Sequence, residues 1–198
     1  TDGHPLFLVN LVEHLVQQEM VVRRAGQWTL REGPAAQVTR LPEGLAALLL
    51  RRIEALAPEA RRVLEAASVV GEEFAVAAVA AGAQCPVEAV EAQCEVVAAQ
   101  RHFLNDIGVM VWPDATRGGR YRFQHALYQE VLYEQVGSAR RMQLHQRIGA
   151  RLEAGYGARA EEIAAQLAVH FERGGAVPRA VHYWQQAGDT AARRHAYQ

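Results

Sequence analysis

GVMVWPDATRGGRYRF, residues 108–123, decides the fold. GVMVW (108–112) brings β-branched and aromatic residues together without the spacing of a helix face. PDATRGG (113–119) is dense in turn formers. In YRF (121–123), Tyr121 and Phe123 share one face and Arg122 takes the other. Two short strands around a Gly-rich loop read as a β-hairpin. On both sides of it the chain reads as mostly helical.

Upstream, prolines and glycines mark the helices. Pro42 sits at a first-turn position, where its missing N–H costs nothing. Leu45, Leu48, Leu49, Ile53 and Leu56 then keep helical spacing, interrupted at Arg52. Pro58 opens the next helix, with Val63, Leu64 and Ala67 inward, and Gly71 stops it. Phe74 to Ala81 reads as a short Ala/Val helix ended by Gly82. Pro86 opens another, with Val87, Val90, Cys94, Val97 and Ala98 on one face. Helices followed by a hairpin is the order of a winged helix, a helix-turn-helix variant. Nearer the start, LFLVNLVEHLVQQEMV (6–21) reads as a buried helix, Trp28 to Leu30 as a short extended segment, and EGPAAQVTRLP (32–42) as a connector.

Downstream of the hairpin, helices are expected at about 125–136, 138–154, 160–173 and 177–190. The last pair carries a repeat signature. Ala164, Leu167, Ala168, Phe171, Ala180, Trp184 and Ala187 fall at the offsets of a tetratricopeptide unit. Small residues stand where two helices cross closely, and aromatics fill the gaps. One unit cannot bury its own face, so a longer array is expected to follow.

Composition narrows the chemistry. Of 198 residues, 50% are hydrophobic and 22% charged, which suits a folded domain. The net charge of −1 gives no general pull toward nucleic acid or an acidic membrane surface. All 21 Lys and Arg residues are Arg. The chain therefore has no P-loop lysine and no Schiff-base lysine. Cys85 and Cys94 lack metal spacing and read as small core residues in a reducing cytoplasm. TDGHPLFLVNLVEHLVQ has no secretory pattern, and no apolar stretch is long enough for a membrane span.

The order of motifs resembles one family across essentially the whole chain. GHPLFLVNLVEHL, GQWTL, LPEGLAALLLRRIEALAPEARRVLEAASVVGEEF, YRFQHALYQEVLYEQV and RRMQLHQRIGARLE, followed by a tetratricopeptide start, are similar to the middle of STAND proteins. These are signal-transduction ATPases with numerous domains, including large LuxR-type transcription regulators. The resemblance implies a mostly α architecture in three parts. Residues 1–40 would be the helical lid of an upstream AAA-like ATPase domain, 41–137 a winged helix with a small β-hairpin wing, and 138–198 a helical linker with the first tetratricopeptide-like repeat. It implies a non-catalytic regulatory segment with no cofactor of its own. ATP or ADP would be held by the upstream domain. The partners would be that domain and the downstream repeats of the same chain, with a protein or small-molecule inducer, and no membrane.

The resemblance also singles out residues. Gly3 and Pro5, in Gly3-His4-Pro5, match the Gly-x-Pro turn that approaches the adenine–ribose side of the nucleotide. His125, in FQHAL, stands where the family's Met-His-Asp histidine reaches the β-phosphate of ADP. Here Phe123-Gln124 precedes it and Ala126 follows, unlike the motif. A histidine at the first turn of a helix suits phosphate, because free N–H groups and the positive dipole end lie there. The plainer reading is that His125 caps the helix or packs beside Tyr128 and Leu132. His145, His170, His182 and His195 have no partner at ligand spacing and read as surface or groove residues.

Two other functions stay open. One is a DNA-binding winged-helix regulator whose wing arginines Arg117, Arg120 and Arg122 would touch the phosphate backbone. The helix before the wing, PVEAVEAQCEVVAAQR, argues against it, because Glu88, Glu91 and Glu95 would face DNA phosphate. The other is a tetratricopeptide protein-interaction adaptor.

Overall fold

A computed structural model describes residues 21–24, 27–30, 43–100 and 103–195, with side chains over 49–100 and 103–193. These residues are mostly helical, with a small three-stranded antiparallel sheet. The chain divides into two compact units, Thr1–Ala55 and Leu56–Gln198.

In the first unit, β1 (Val21–Arg24) pairs antiparallel with β2 (Gln27–Leu30), with Val21 opposite Leu30 and Arg24 opposite Gln27. The expected extended segment at Trp28 thus has a partner strand. Val21, read as a helix end, belongs to that strand, and the rest of the 6–21 helix lies outside the described residues. α1 (Glu43–Glu54) carries Arg51 and Arg52 in its last turn, where cations complement the helix dipole.

The second unit begins with α2 (Pro58–Val70), which has proline in its first turn and Gly71 at its end. β3 (Glu73–Ala75) follows, then α3 (Val76–Ala83) and α4 (Val87–Ala99). Phe74 is therefore a strand residue and not the start of a helix. Gly82 lies within α3, which ends at Gln84 in the left-handed region (φ 56°). Ala-rich α3 is buried along most of its length, so it has no amphipathic stripe to mark its ends.

The hairpin is β4 (Leu104–Val111) and β5 (Arg117–Phe123), longer than its sequence signal. β5 is central, flanked by β3 and β4, with Phe74 opposite Tyr121 and Leu104 opposite Phe123. A register shift falls between Asp106 and Val109. There Gly108 takes φ 98° and its N–H donates to Asp106 Oδ1 at 2.8 Å. On the buried face, the rings of Phe74 and Phe123 lie 5.5 Å apart and those of Phe74 and Tyr121 6.1 Å apart.

From the sheet the chain enters α5 (Ala126–Gln135) and then α6 (Ser138–Tyr156). Gly157, at φ 50°, breaks the helix. A 3-10 segment, Gly157–Ile163, leads to α7 (Ala164–Arg173), so the helix expected from residue 160 starts later. α8 (Val177–His195) closes the described chain. α7 and α8 pack as a hairpin, burying Ala164, Leu167, Ala168, Phe171 and Ala180 as the repeat spacing predicts. Trp184 departs from that expectation. It is 44% exposed, and Tyr183 is buried in its place. Tyr183 donates to Glu153 Oε1 of α6 at 2.7 Å.

Close contacts join α6 to the elements before it. Gly82 of α3 lies so close to α6 that a Cβ there would meet Ile148 Cγ1 at 2.9 Å. At the other end α6 holds the hairpin turn. Trp112 is buried beside Tyr156, under the Arg151 guanidinium at 4.4 Å from the ring centroid. Arg151 also donates to Asp114 Oδ2 at 2.9 Å and to Thr116 Oγ1 at 2.7 Å. The Asp114 N–H reaches Gly155 O at 3.1 Å. Among the described residues no helix is long and apolar enough to cross a membrane.

Candidate functional site

The sequence-derived candidates do not converge on one site. Gly3 and Pro5 lie outside the described residues. His125 is the N-cap residue of α5, with extended backbone (φ −144°, ψ 132°) and no capping hydrogen bond from its side chain. The capping role is therefore corrected. Its backbone carbonyl, not its ring, closes the first turn, accepting from the Tyr128 N–H at 3.0 Å.

The wing arginines are mostly occupied. Arg122 Nε donates to Glu73 Oε1 at 2.7 Å, and Arg120 pairs with the same carboxylate. The hydrogen bond from Arg122, followed by the pull of both cations, holds the Glu73 carboxyl below the usual carboxylate range. Arg117 is exposed. On α4, Glu88 and Glu95 are exposed as expected, but Glu91 turns toward the sheet. It accepts from the Gly119 N–H and from Tyr121 Oη, both at 3.0 Å. Burial, then that carboxylate, pushes the Tyr121 phenol upward.

The two cysteines differ. Cys94 is buried, and burial pushes its thiol up to about 12, so it is inert. Cys85 is exposed, contrary to the core reading.

The principal polar cluster escaped the sequence reading. His145 of α6 and His170 of α7 are 1% and 3% exposed, and their Nδ1 atoms lie 3.0 Å apart. They are not surface residues. Tyr133 of α5 reaches His145 Nε2 at 3.1 Å, and Arg173 Nη1 donates to Tyr133 Oη at 3.3 Å. The Arg141 guanidinium covers the Tyr133 ring at 4.4 Å from its centroid. Burial, ahead of repulsion from neighbouring cations, lowers His145 to about 3 and His170 to about 4. Both imidazoles are therefore neutral at pH 7, and each shares one hydrogen along the chain of contacts. These residues stand on three separate helices, at spacings no local motif encodes.

Among the described residues no group of three or more His, Cys, Asp or Glu side chains could hold a metal ion. Compared with known proteins, the chain matches no family model, no curated protein and no solved structure.

Proposed function

We propose that this chain is a non-catalytic regulatory segment of a STAND-type ATPase signalling protein or transcription regulator. It couples the nucleotide state of an upstream ATPase domain to a downstream repeat sensor. Helix, strand, two helices and a hairpin, with β3 beside β5, is the order of a winged helix, and α7 with α8 suits a first tetratricopeptide-like repeat.

The observation that carries the reading is the clamped hairpin turn. A wing that reads DNA must present its tip to the duplex. Here Trp112, Asp114 and Thr116 are bound to Arg151 and Gly155 at the end of α6. Arg120 and Arg122 are engaged by Glu73, and α4 exposes Glu88 and Glu95. Such a body transmits a displacement from wing to helical hairpin better than it grips phosphate. His125, Gly3 and Pro5 would contact nucleotide only when the upstream domain supplies the phosphate cradle.

Titration of this chain with ADP, and with duplex DNA at physiological salt, tests the reading. Neither should bind. Micromolar ADP binding would contradict the division of labour. A salt-sensitive, sequence-preferring DNA complex would favour the DNA-binding alternative.

A further inference from the structure

β4 leaves one side of the sheet open. β5 is central, β3 flanks it on one side, and β4 runs along the other with no strand beyond it among the described residues. The direction of its main-chain groups follows from a hydrogen bond at its end. The Trp112 N–H donates to Thr116 O at 2.9 Å, toward the β5 side. Alternation along the strand then turns Met110 toward β5 and leaves the N–H and C=O of Val109 and Val111 pointing out of the sheet. Gly108 does not join them, because its N–H is held by Asp106 Oδ1. Exposed edges are commonly guarded by Lys, Pro or a bulge. The irregularity in β4 stops short of Val109, and LNDIGVMV holds neither Lys nor Pro. Val109 and Val111 are 74% and 57% exposed.

The two faces beside that edge differ in charge. Val109 and Val111 stand opposite Gly119 and Arg117, on the face of Tyr121 that α4 covers. Glu91 of α4 reaches that face, bound to Gly119 and Tyr121. Glu95 of α4 and Asp106 of β4 are exposed and line a groove of about 640 Å³ between helix and edge, with Ala98, Ala99 and Leu104. Neither Arg nor His is among the described residues lining it. Arg117 marks the tip end of this face, away from Asp106. The other face carries Met110, with Arg120 and Arg122 around Glu73. A strand added along Val109–Val111 would meet carboxylates on one face and apolar or basic groups on the other. That suits a segment in which basic and apolar residues alternate. Arg or Lys stems would lie along the two valines while their heads reach the acids.

We propose that this edge docks an extended basic segment of a partner protein, which adds to β4 as a further strand and sets its cationic side chains on Asp106 and Glu95. Main-chain bonds to Val109 and Val111 supply affinity, and the acids choose the partner. Nucleic acid is turned away by the same carboxylates. Docking needs no upstream domain, so it and the regulatory role can fail separately.

The probe is a short synthetic peptide of alternating Arg and Val, blocked at both ends and labelled with a fluorophore. The full chain is titrated into it at physiological salt while anisotropy is read. A saturable rise is expected. The same peptide N-methylated at its Arg residues keeps its charge but cannot pair with the edge, and should not bind. Glu95→Gln combined with Asp106→Asn changes two exposed carboxylates to amides of the same shape and should weaken binding about tenfold. Glu161→Gln, on the exposed 3-10 segment, should bind as the parent does. No saturable binding would overturn the proposal. So would equal binding of the N-methylated peptide, or an equal loss in Glu161→Gln, either of which reduces the effect to general attraction between charges. A dimer of the chain that buries Val109 and is indifferent to the peptide would give the edge to a second copy, and would overturn it as well.

Discussion

At His145 and His170, burial decides the protonation state, and this has a thermodynamic consequence. The unfolded chain takes up protons on both imidazoles near 6.5, while the folded chain resists until about 4 and about 3. Below pH 6.5 the unfolded state binds more protons, so stability falls as pH drops. The loss should approach about 1.4 kcal/mol per pH unit for each histidine between that point and about pH 4. Urea unfolding of the chain at a series of pH values checks this. A flat profile from neutrality to pH 5 would mean that the pair is already protonated or open to water. Sequence could not show the pair, because residues 145 and 170 lie on different helices and only packing brings them together. Glu91 is a similar case. Its helical position is legible, but its bonds to Gly119 and Tyr121 depend on how α4 lies against the sheet.

Among the elements, those bounded by proline or glycine were legible. Pro58 and Gly71 frame α2, Pro86 precedes α4, and the turn residues of 113–119 lie between β4 and β5. β3 was not legible. Three residues, Glu73–Ala75, give no period, and the Ala/Val run behind them resembles helix throughout. The repeat spacing placed five of the seven named packing positions in the core, Ala164, Leu167, Ala168, Phe171 and Ala180. It misplaced the aromatic by one residue, because α8 turns Tyr183 inward toward Glu153. The clamp between the hairpin turn and α6 also has a measurable strength. Arg151→Ala removes two hydrogen bonds and the cover over Trp112. It should cost about 1–3 kcal/mol and expose the indole to quenchers. An unchanged melting curve with unchanged Trp fluorescence would mean that the turn is not held.

For the molecule as a whole, the described chain offers a sheet-bearing body joined closely to a helical hairpin. Its balanced charge and lack of lysine were plain from composition. The mechanical link was not, since it rests on Gly82 against Ile148 and on Arg151 under the wing. If that link relays nucleotide state, His125 at the sheet-to-helix junction is where the upstream domain's phosphate would be felt. The most direct measurement is the rate of ADP release from the intact protein, with and without His125→Ala. Faster release, with raised basal output, is expected if the segment holds the closed state. An unchanged release rate would contradict that role and leave His125 as a packing residue at the start of α5.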